Sequence, residues 1–205
     1  MKSFAHYASA LLLVTTLAGP AAGAGTAPDA LVKSTTEQVL AVVKESGDAQ
    51  RIVARAQPLV APHFDFARMT QLAVGRAWAT TSAAQKQALE KQFRDLLIRT
   101  YALALAKGAR QDVNLTVSPL AAPPAGDEVT VHTQVRGEDG KPIVIDYQME
   151  KAGDGWKVFD VTVAGISLVT NYRSTFAAEI EKSGVDGLIN TLAEKNKSLA
   201  TGKAG

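Results

Sequence analysis

Two periodicities divide the chain: apolar residues recur every three or four positions up to about residue 107, then alternate with polar ones from residue 112 to 163. In the first regime Leu31, Val39, Leu40 and Val43 mark one helix, and Ile52, Val53, Leu59 and Val60 mark a second. Gly47-Asp48 separates them, with Asp48 placed to cap the second helix, which Pro58 and Pro62 bring to an end around His63. Asp65 caps a short helix carrying Phe66, Met69 and Leu72 and ending near Gly75. Ser82 and Gln85 form a capping box that opens the longest helix, running to about Lys107. Leu89, Phe93, Leu96 and Thr100 make one stripe on it. Residues 97–106 are apolar almost all round, so that part is buried on every side, either in a solid core or against a ligand cavity.

The second regime predicts four strands, 112–117, 128–136, 142–151 and 156–163, with turns at Pro123-Pro124, Asp139-Gly140 and Asp154-Gly155. Short turns between consecutive strands imply an antiparallel meander. Two helices follow, 167–182 and 186–197, divided by Ser183-Gly184, with Ser167 as N-cap of the first. Helices, then strands, then helices give an α+β domain with helices against one sheet face. Along the third strand, alternation places Ile143, Ile145, Tyr147 and Met149 on one face and Val144, Asp146, Gln148 and Glu150 on the other. By the same rule Asp160 shares a face with Trp156 and Val158, making it the candidate for an enclosed carboxylate. Such a group either acts as a base or fixes a turn or an arginine.

Composition narrows the chemistry. With 22 Lys+Arg against 20 Asp+Glu and no basic stripe interleaved with aromatics, nucleic acid is not an expected partner. The absence of cysteine excludes thiol catalysis and zinc-thiolate sites. His6, His63 and His132 fall in unlike segments, and no metalloprotease, nucleophile-elbow or phosphate-loop motif is present. No metal site or catalytic set is expected. Lys2, the apolar run 8–17 and Ala22-Gly23-Ala24 have the order of a secretory leader, so residues 1–24 are expected to be removed and 25–205 to form a single exported domain. That run is about half the roughly 20 residues a membrane-spanning helix needs. Without a cysteine at the cleavage point, the mature chain is expected to be released and not lipid-anchored.

A family resemblance enters through Phe64-Asp65-Phe66 with Met69 and Leu72, Gly75-Arg76-Ala77-Trp78, and Phe93 with Leu96-Leu97 and Tyr101. It continues through residues 155–161 (Gly-Trp-Lys-Val-Phe-Asp-Val), Gly165-Ile166-Ser167-Leu168, Asn171-Tyr172-Arg173, Phe176 and residues 184–189. In this order they resemble the MlaC family of periplasmic phospholipid-binding proteins, also described as the toluene-tolerance family. The resemblance implies an NTF2-like sheet of four antiparallel strands combined with a helical N-terminal portion and two C-terminal helices, with an apolar cavity between sheet and helices. It implies a periplasmic phospholipid carrier, not an enzyme, with no cofactor besides its transported lipid. The partners implied are an inner-membrane ABC transporter complex with an MCE-domain ring and an outer-membrane lipoprotein-porin complex; a monomer is expected.

The candidate lipid-binding residues are Leu97 and Tyr101 on the long helix; Ile145, Tyr147 and Met149 on the third strand; Val161 and Val163 on the fourth; Ile166 at the junction beyond it; and Val169, Tyr172 and Phe176 on the helix that follows. Arg173 and Lys141 are the cations considered for a headgroup phosphate. Two other readings stay open: an NTF2-like hydrolase or isomerase built around Asp160, and a structural periplasmic adaptor whose apolar residues form a solid core.

Overall fold

The computed structural model describes residues 25–46, 48–108, 114–136 and 142–201. The expected leader, the Asp139-Gly140 turn and Lys141 lie outside the described residues. The helices are α1 (Pro28–Glu45), α2 (Ala49–Val60), α3 (Phe66–Val74), α4 (Ala83–Gly108) and α5 (Leu168–Ala200); the strands are β1 (Asn114–Val117), β2 (Glu128–Arg136), β3 (Pro142–Ala152), β4 (Gly155–Val163) and β5 (Ile166–Ser167).

Local capping chemistry sets the helix starts. Asp48 accepts the Gln50 and Arg51 N–H groups at 2.8 and 3.0 Å, and Asp65 accepts the Arg68 N–H at 2.8 Å. Ser82 and Gln85 close the reciprocal box, with Gln85 N–H donating to Ser82 Oγ at 3.3 Å and Ser82 N–H to Gln85 Oε1 at 3.1 Å. Ser167 accepts the Thr170 N–H at 3.0 Å. Each bond satisfies a donor that the helix cannot pair internally, contributing about 1 kcal/mol.

One element differs from the sequence expectation. The sheet has five strands, all antiparallel, in the order β1-β2-β3-β4-β5. The extra strand is two residues long, too short to show a period; it turns back on β4 through Ala164 and Gly165, both at positive φ. The run labelled α5 is two helical segments that meet at Gly184, where φ is 73° and ψ is −178°, the divider the sequence predicts. Glycine adopts that conformation without the Cβ clash any other residue would meet, so the break falls at the expected place.

The register contains one more irregularity. Gln148 pairs with Asp160 while Met149 pairs with Val158, so Phe159 is an extra residue in β4, a bulge. The bulge reverses the alternation. Val158 and Val161 therefore face the same side, with Met149 and Tyr147, and Asp160 faces the opposite side with Gln148. The expectation that Asp160 shares a face with Val158 is corrected by this inserted residue.

Among the described residues, three apolar clusters fill the fold. Val32, Val131, Met149, Val158, Val161 and Leu168 form one against the inner sheet face. A larger one joins α3, α4 and α5 through Met69, Leu89, Phe93, Leu97, Phe176 and Leu188. A small one, Val39, Val43, Ile52 and Ala56, lies between α1 and α2. Phe64 and Tyr101 pack against both the sheet cluster and the large helical one, which marks where these meet.

Candidate functional site

The inner sheet face is graded from closed to open. Its residues stand in cross-strand rows: Val129, Met149 and Val158; then Val131, Tyr147 and Val161; then Thr133, Ile145, Val163 and Ile166; then Val135 and Ile143. In the first two rows Met149 and Val131 are 0% exposed. At the other end Ile143 is 48% and Ile166 62% exposed. Both residues are on the inner face by register, so the apolar surface runs without a break from the interior to solvent. Singly exposed apolar side chains are ordinary; these two share the open end of one apolar sheet face.

The eleven candidate residues divide between two clusters. Met149 and Val161 are in the sheet cluster, with Ile145, Tyr147 and Val163 packed against it, and Ile166 stands at its exposed rim. Leu97, Val169 and Phe176 are buried in the helical cluster, with Tyr172 packed against them. Phe176 is 1% exposed and makes an edge-to-face contact with Phe93 at 5.0 Å, as Tyr172 also does. That geometry is favourable packing between aromatic rings and gives these residues a role in the interior. Tyr101 alone among the eleven touches both clusters. Phe64, Val131 and Val158 pack in the same sheet cluster and were not among the eleven. Alternation in β2 could have found Val131; Phe64 reaches the sheet through a bridge to Val158 that no local pattern announces.

Three tyrosine hydroxyls add polar groups to this interior, beside the buried Thr133, whose hydroxyl donates to the Ile145 carbonyl. Burial pushes the Tyr101 phenol up to about 12, with the neighbouring Tyr172 adding to the effect. Burial also raises Tyr147 and Tyr172, while a hydrogen bond with the Thr36 hydroxyl partly offsets the rise at Tyr147. All three are neutral near pH 7, so they offer hydrogen bonds and no charge.

The charged groups are occupied structurally. Asp160 accepts the Ser167 hydroxyl at 2.6 Å and the N–H groups of Val161 and Val169 at 2.8 and 3.1 Å, tying β4 to the start of α5. Asp146 faces outward, as alternation requires, and pairs with His132 Nδ1 at 2.8 Å. On α3, Arg68 bridges Glu128 at 2.6 Å and Glu150, with its guanidinium 3.7 Å from the centre of the Phe159 ring. Arg173 is exposed and lies against Gly75, where an added Cβ would come within 3.1 Å of Nε. This places it over the end of α3. Among the described residues no group of His, Asp and Glu could hold a metal ion, and no helix is long and apolar enough to cross a membrane.

The same architecture occurs in solved relatives. A phospholipid-binding protein from Ralstonia solanacearum, determined in complex with a phospholipid, superimposes with a TM-score of 0.75 at 36% identity, covering 85% of this chain and 99% of that one. The toluene tolerance protein ttg2D of Pseudomonas putida is 31% identical over 102 residues, 50% of this chain and 46% of that protein. The chain thus spans about half the length of that relative. The intermembrane phospholipid transport system binding protein MlaC of Haemophilus influenzae is 24% identical over 157 residues, 74% of this chain and 71% of that protein. The family profile described as MlaC protein matches residues 33–194, from the middle of α1 to the last turns of α5 and across every strand of the sheet, so the chain belongs to the MlaC family.

Proposed function

We propose that this protein is a soluble periplasmic phospholipid carrier, whose acyl cavity lies between the inner sheet face and the helices and opens at Ile143 and Ile166. The observation that carries the reading is the phospholipid complex of the Ralstonia relative, which shares 36% identity over 85% of this chain. The graded apolar face supports it. Each methylene withdrawn from water is worth about 0.8 kcal/mol, so two acyl chains in water cost on the order of 20 kcal/mol and require an apolar sleeve.

The lining residues of this reading are Ile145, Tyr147, Met149, Val161, Val163 and Ile166, with Tyr101 closing the helical side. Neutral tyrosines suit the task, since they can meet ester oxygens without a buried charge. No chemistry is required of the protein: lipid is exchanged between membrane, partner and pocket, and direction comes from an energised partner or a gradient. In the carrier reading those partners are an inner-membrane ABC transporter complex with an MCE-domain ring and an outer-membrane lipoprotein-porin complex. The leader at 1–24 delivers the chain to the compartment between them.

Organic extraction of the purified protein followed by mass spectrometry tests the reading. Copurified phospholipid is the expected result. An empty extract favours a structural adaptor, and turnover of added ester or ketone substrates favours an NTF2-like enzyme.

A further inference from the structure

Among the described residues, three large aliphatic side chains are exposed, Ile143, Val144 and Ile166, and all three stand at one end of the sheet. Ile166 pairs with Val163, and the Val144 carbonyl accepts the Ala164 N–H at 2.9 Å, so the start of β3, the end of β4 and β5 come together there. The loop between Val163 and Ile166 is only Ala164, at φ 50°, and Gly165, at φ 83°. Positive φ at both central positions is what the tightest hairpins require, and side chains larger than glycine tolerate it poorly. Ala164 nonetheless holds that conformation, so Ile166 is presented on a short, stiff turn.

Val144 is the member of this group that a lipid cavity leaves unused. It faces away from the inner surface and is 40% exposed, whereas Ile143 and Ile166 point to the opposite side. The apolar tip therefore shows on both faces of the sheet end. A protein partner with a flat binding face covers one side of such a projection and leaves the other in water, and three aliphatic side chains fall far short of the roughly 800 Å² per partner that a stable interface buries. A fluid apolar layer surrounds a projection from every side. In the rows around the tip Gln134 stands opposite Val144, Val135 opposite Ile143 and Arg136 opposite Pro142, so the charge that the register places beside it is a cation.

We infer that this sheet end is the part of the protein that meets a lipid bilayer: Ile143, Val144 and Ile166 enter the layer between headgroups and acyl chains, and Arg136 draws the tip to anionic headgroups. The inference rests on the carrier reading and adds to it the place of contact. Ile143 and Ile166 also form the open end of the inner face, so an acyl chain leaving the bilayer meets apolar side chains before it meets water. Withdrawing the exposed part of Val144 from water changes membrane affinity about threefold. One arginine beside an anionic surface changes it about fivefold, less as salt rises.

The chain has no cysteine, so a single one can carry a probe. Val144→Cys and Gln87→Cys variants of the exported protein are each labelled with the fluorophore NBD and mixed with vesicles of phosphatidylethanolamine and phosphatidylglycerol, with and without doxyl-labelled quencher lipid. Gln87 is exposed on α4, close to Gln85, whose side chain bonds Asp186 beyond the end of the α5 segment that starts beside Ile166. The label at 144 should brighten and be quenched, and the label at 87 should do neither. Val144→Ser should lower vesicle affinity about threefold and Arg136→Gln about fivefold, the latter only at low salt, with melting temperature and bound phospholipid as in wild type. The inference is overturned if the label at 144 stays in water, if both labels respond alike, or if Val144→Ser binds vesicles as the wild type does. Protection of the label at 144 by membrane protein complexes but not by protein-free vesicles also overturns it and makes the occupant a protein. Phospholipid extracted from the wild-type protein is measured separately; its absence would remove the carrier reading, whereas vesicle contact at residue 144 is read without it.

Discussion

The Asp160 carboxylate accepts the Ser167 hydroxyl at 2.6 Å, so the residue that the sequence offers as a catalytic base is occupied at the junction of β4 and α5. Its other oxygen takes two backbone N–H groups, those of Val161 and Val169. In the Asp160→Asn variant, an amide NH2 replaces one acceptor oxygen: facing Ser167 it takes away the hydroxyl's carboxylate acceptor, and facing Val161 and Val169 it sets a donor against two N–H groups. The expected cost is about 1 to 3 kcal/mol of stability, read by denaturant unfolding, with lipid content unchanged in the folded fraction. A fully stable Asp160→Asn protein that has lost a measurable hydrolytic or isomerase activity would restore the enzyme reading.

Ile166 separates rim from core. Because it is 62% exposed, Ile166→Glu places a charge where water already reaches and should shift the unfolding free energy by no more than about 0.5 kcal/mol. It should nevertheless lose bound phospholipid, since acyl carbons passing the rim would have to desolvate an unpaired carboxylate. Thermal melting with quantified phospholipid reads both halves. Normal occupancy refutes the role at the entrance, and global unfolding would put Ile166 in the solid core.

Two tryptophan substitutions distinguish the sheet face from the helical cluster. Ile145 is half-buried on the inner face, and Ile145→Trp should fill acyl space, lowering lipid occupancy with little loss of stability. Leu97 is buried among Phe93, Phe176 and their neighbours, where an overpacked ring typically costs about 1 to 3 kcal/mol. Lipid extraction beside urea unfolding tells them apart. If Leu97→Trp stays as stable as wild type and loses its lipid, the cavity reaches into the helical cluster.

Alkaline titration reports the buried tyrosines. Tyr101 keeps its proton in the folded state up to about 12, against an ordinary value of 10.0, so above pH 10 the unfolded chain releases a proton that the folded chain retains. Unfolding then becomes easier as pH rises: stability is present below pH 10 and declines between 10 and about 12. The Tyr101→Phe variant should show a shallower decline in melting temperature over that window. An unchanged decline would mean that Tyr101 is solvated.

What the sequence made legible follows the range of each interaction. Caps act within three residues, and Asp48, Asp65, Ser82 with Gln85 and Ser167 all stand where local patterns put them. Alternation along β3 placed Tyr147 and Met149 inward and Asp146 outward, because a strand has a fixed period of two. The bulge at Phe159 broke the same rule in β4, since one inserted residue changes which parity faces inward, and apolar side chains at 158, 159, 161 and 163 fit either parity. The division of the candidate residues between sheet and helical clusters depends on how α4 and α5 cross, which no local period encodes. The gradient from Met149 to Ile143 depends on which rows of the sheet other elements cover, so it too emerges only from the tertiary structure.

The central claim, that acyl chains lie along the inner sheet face, is tested most directly by photo-crosslinking with a phospholipid carrying a diazirine along its acyl chain, followed by peptide mapping. The account predicts adducts on Ile145, Tyr147, Val163 and Ile166, and none on Val144, which faces outward, or on Phe176 and Phe93 within the aromatic core. Adducts confined to Val144 and the outer face, or to the helical cluster without the sheet, would contradict it.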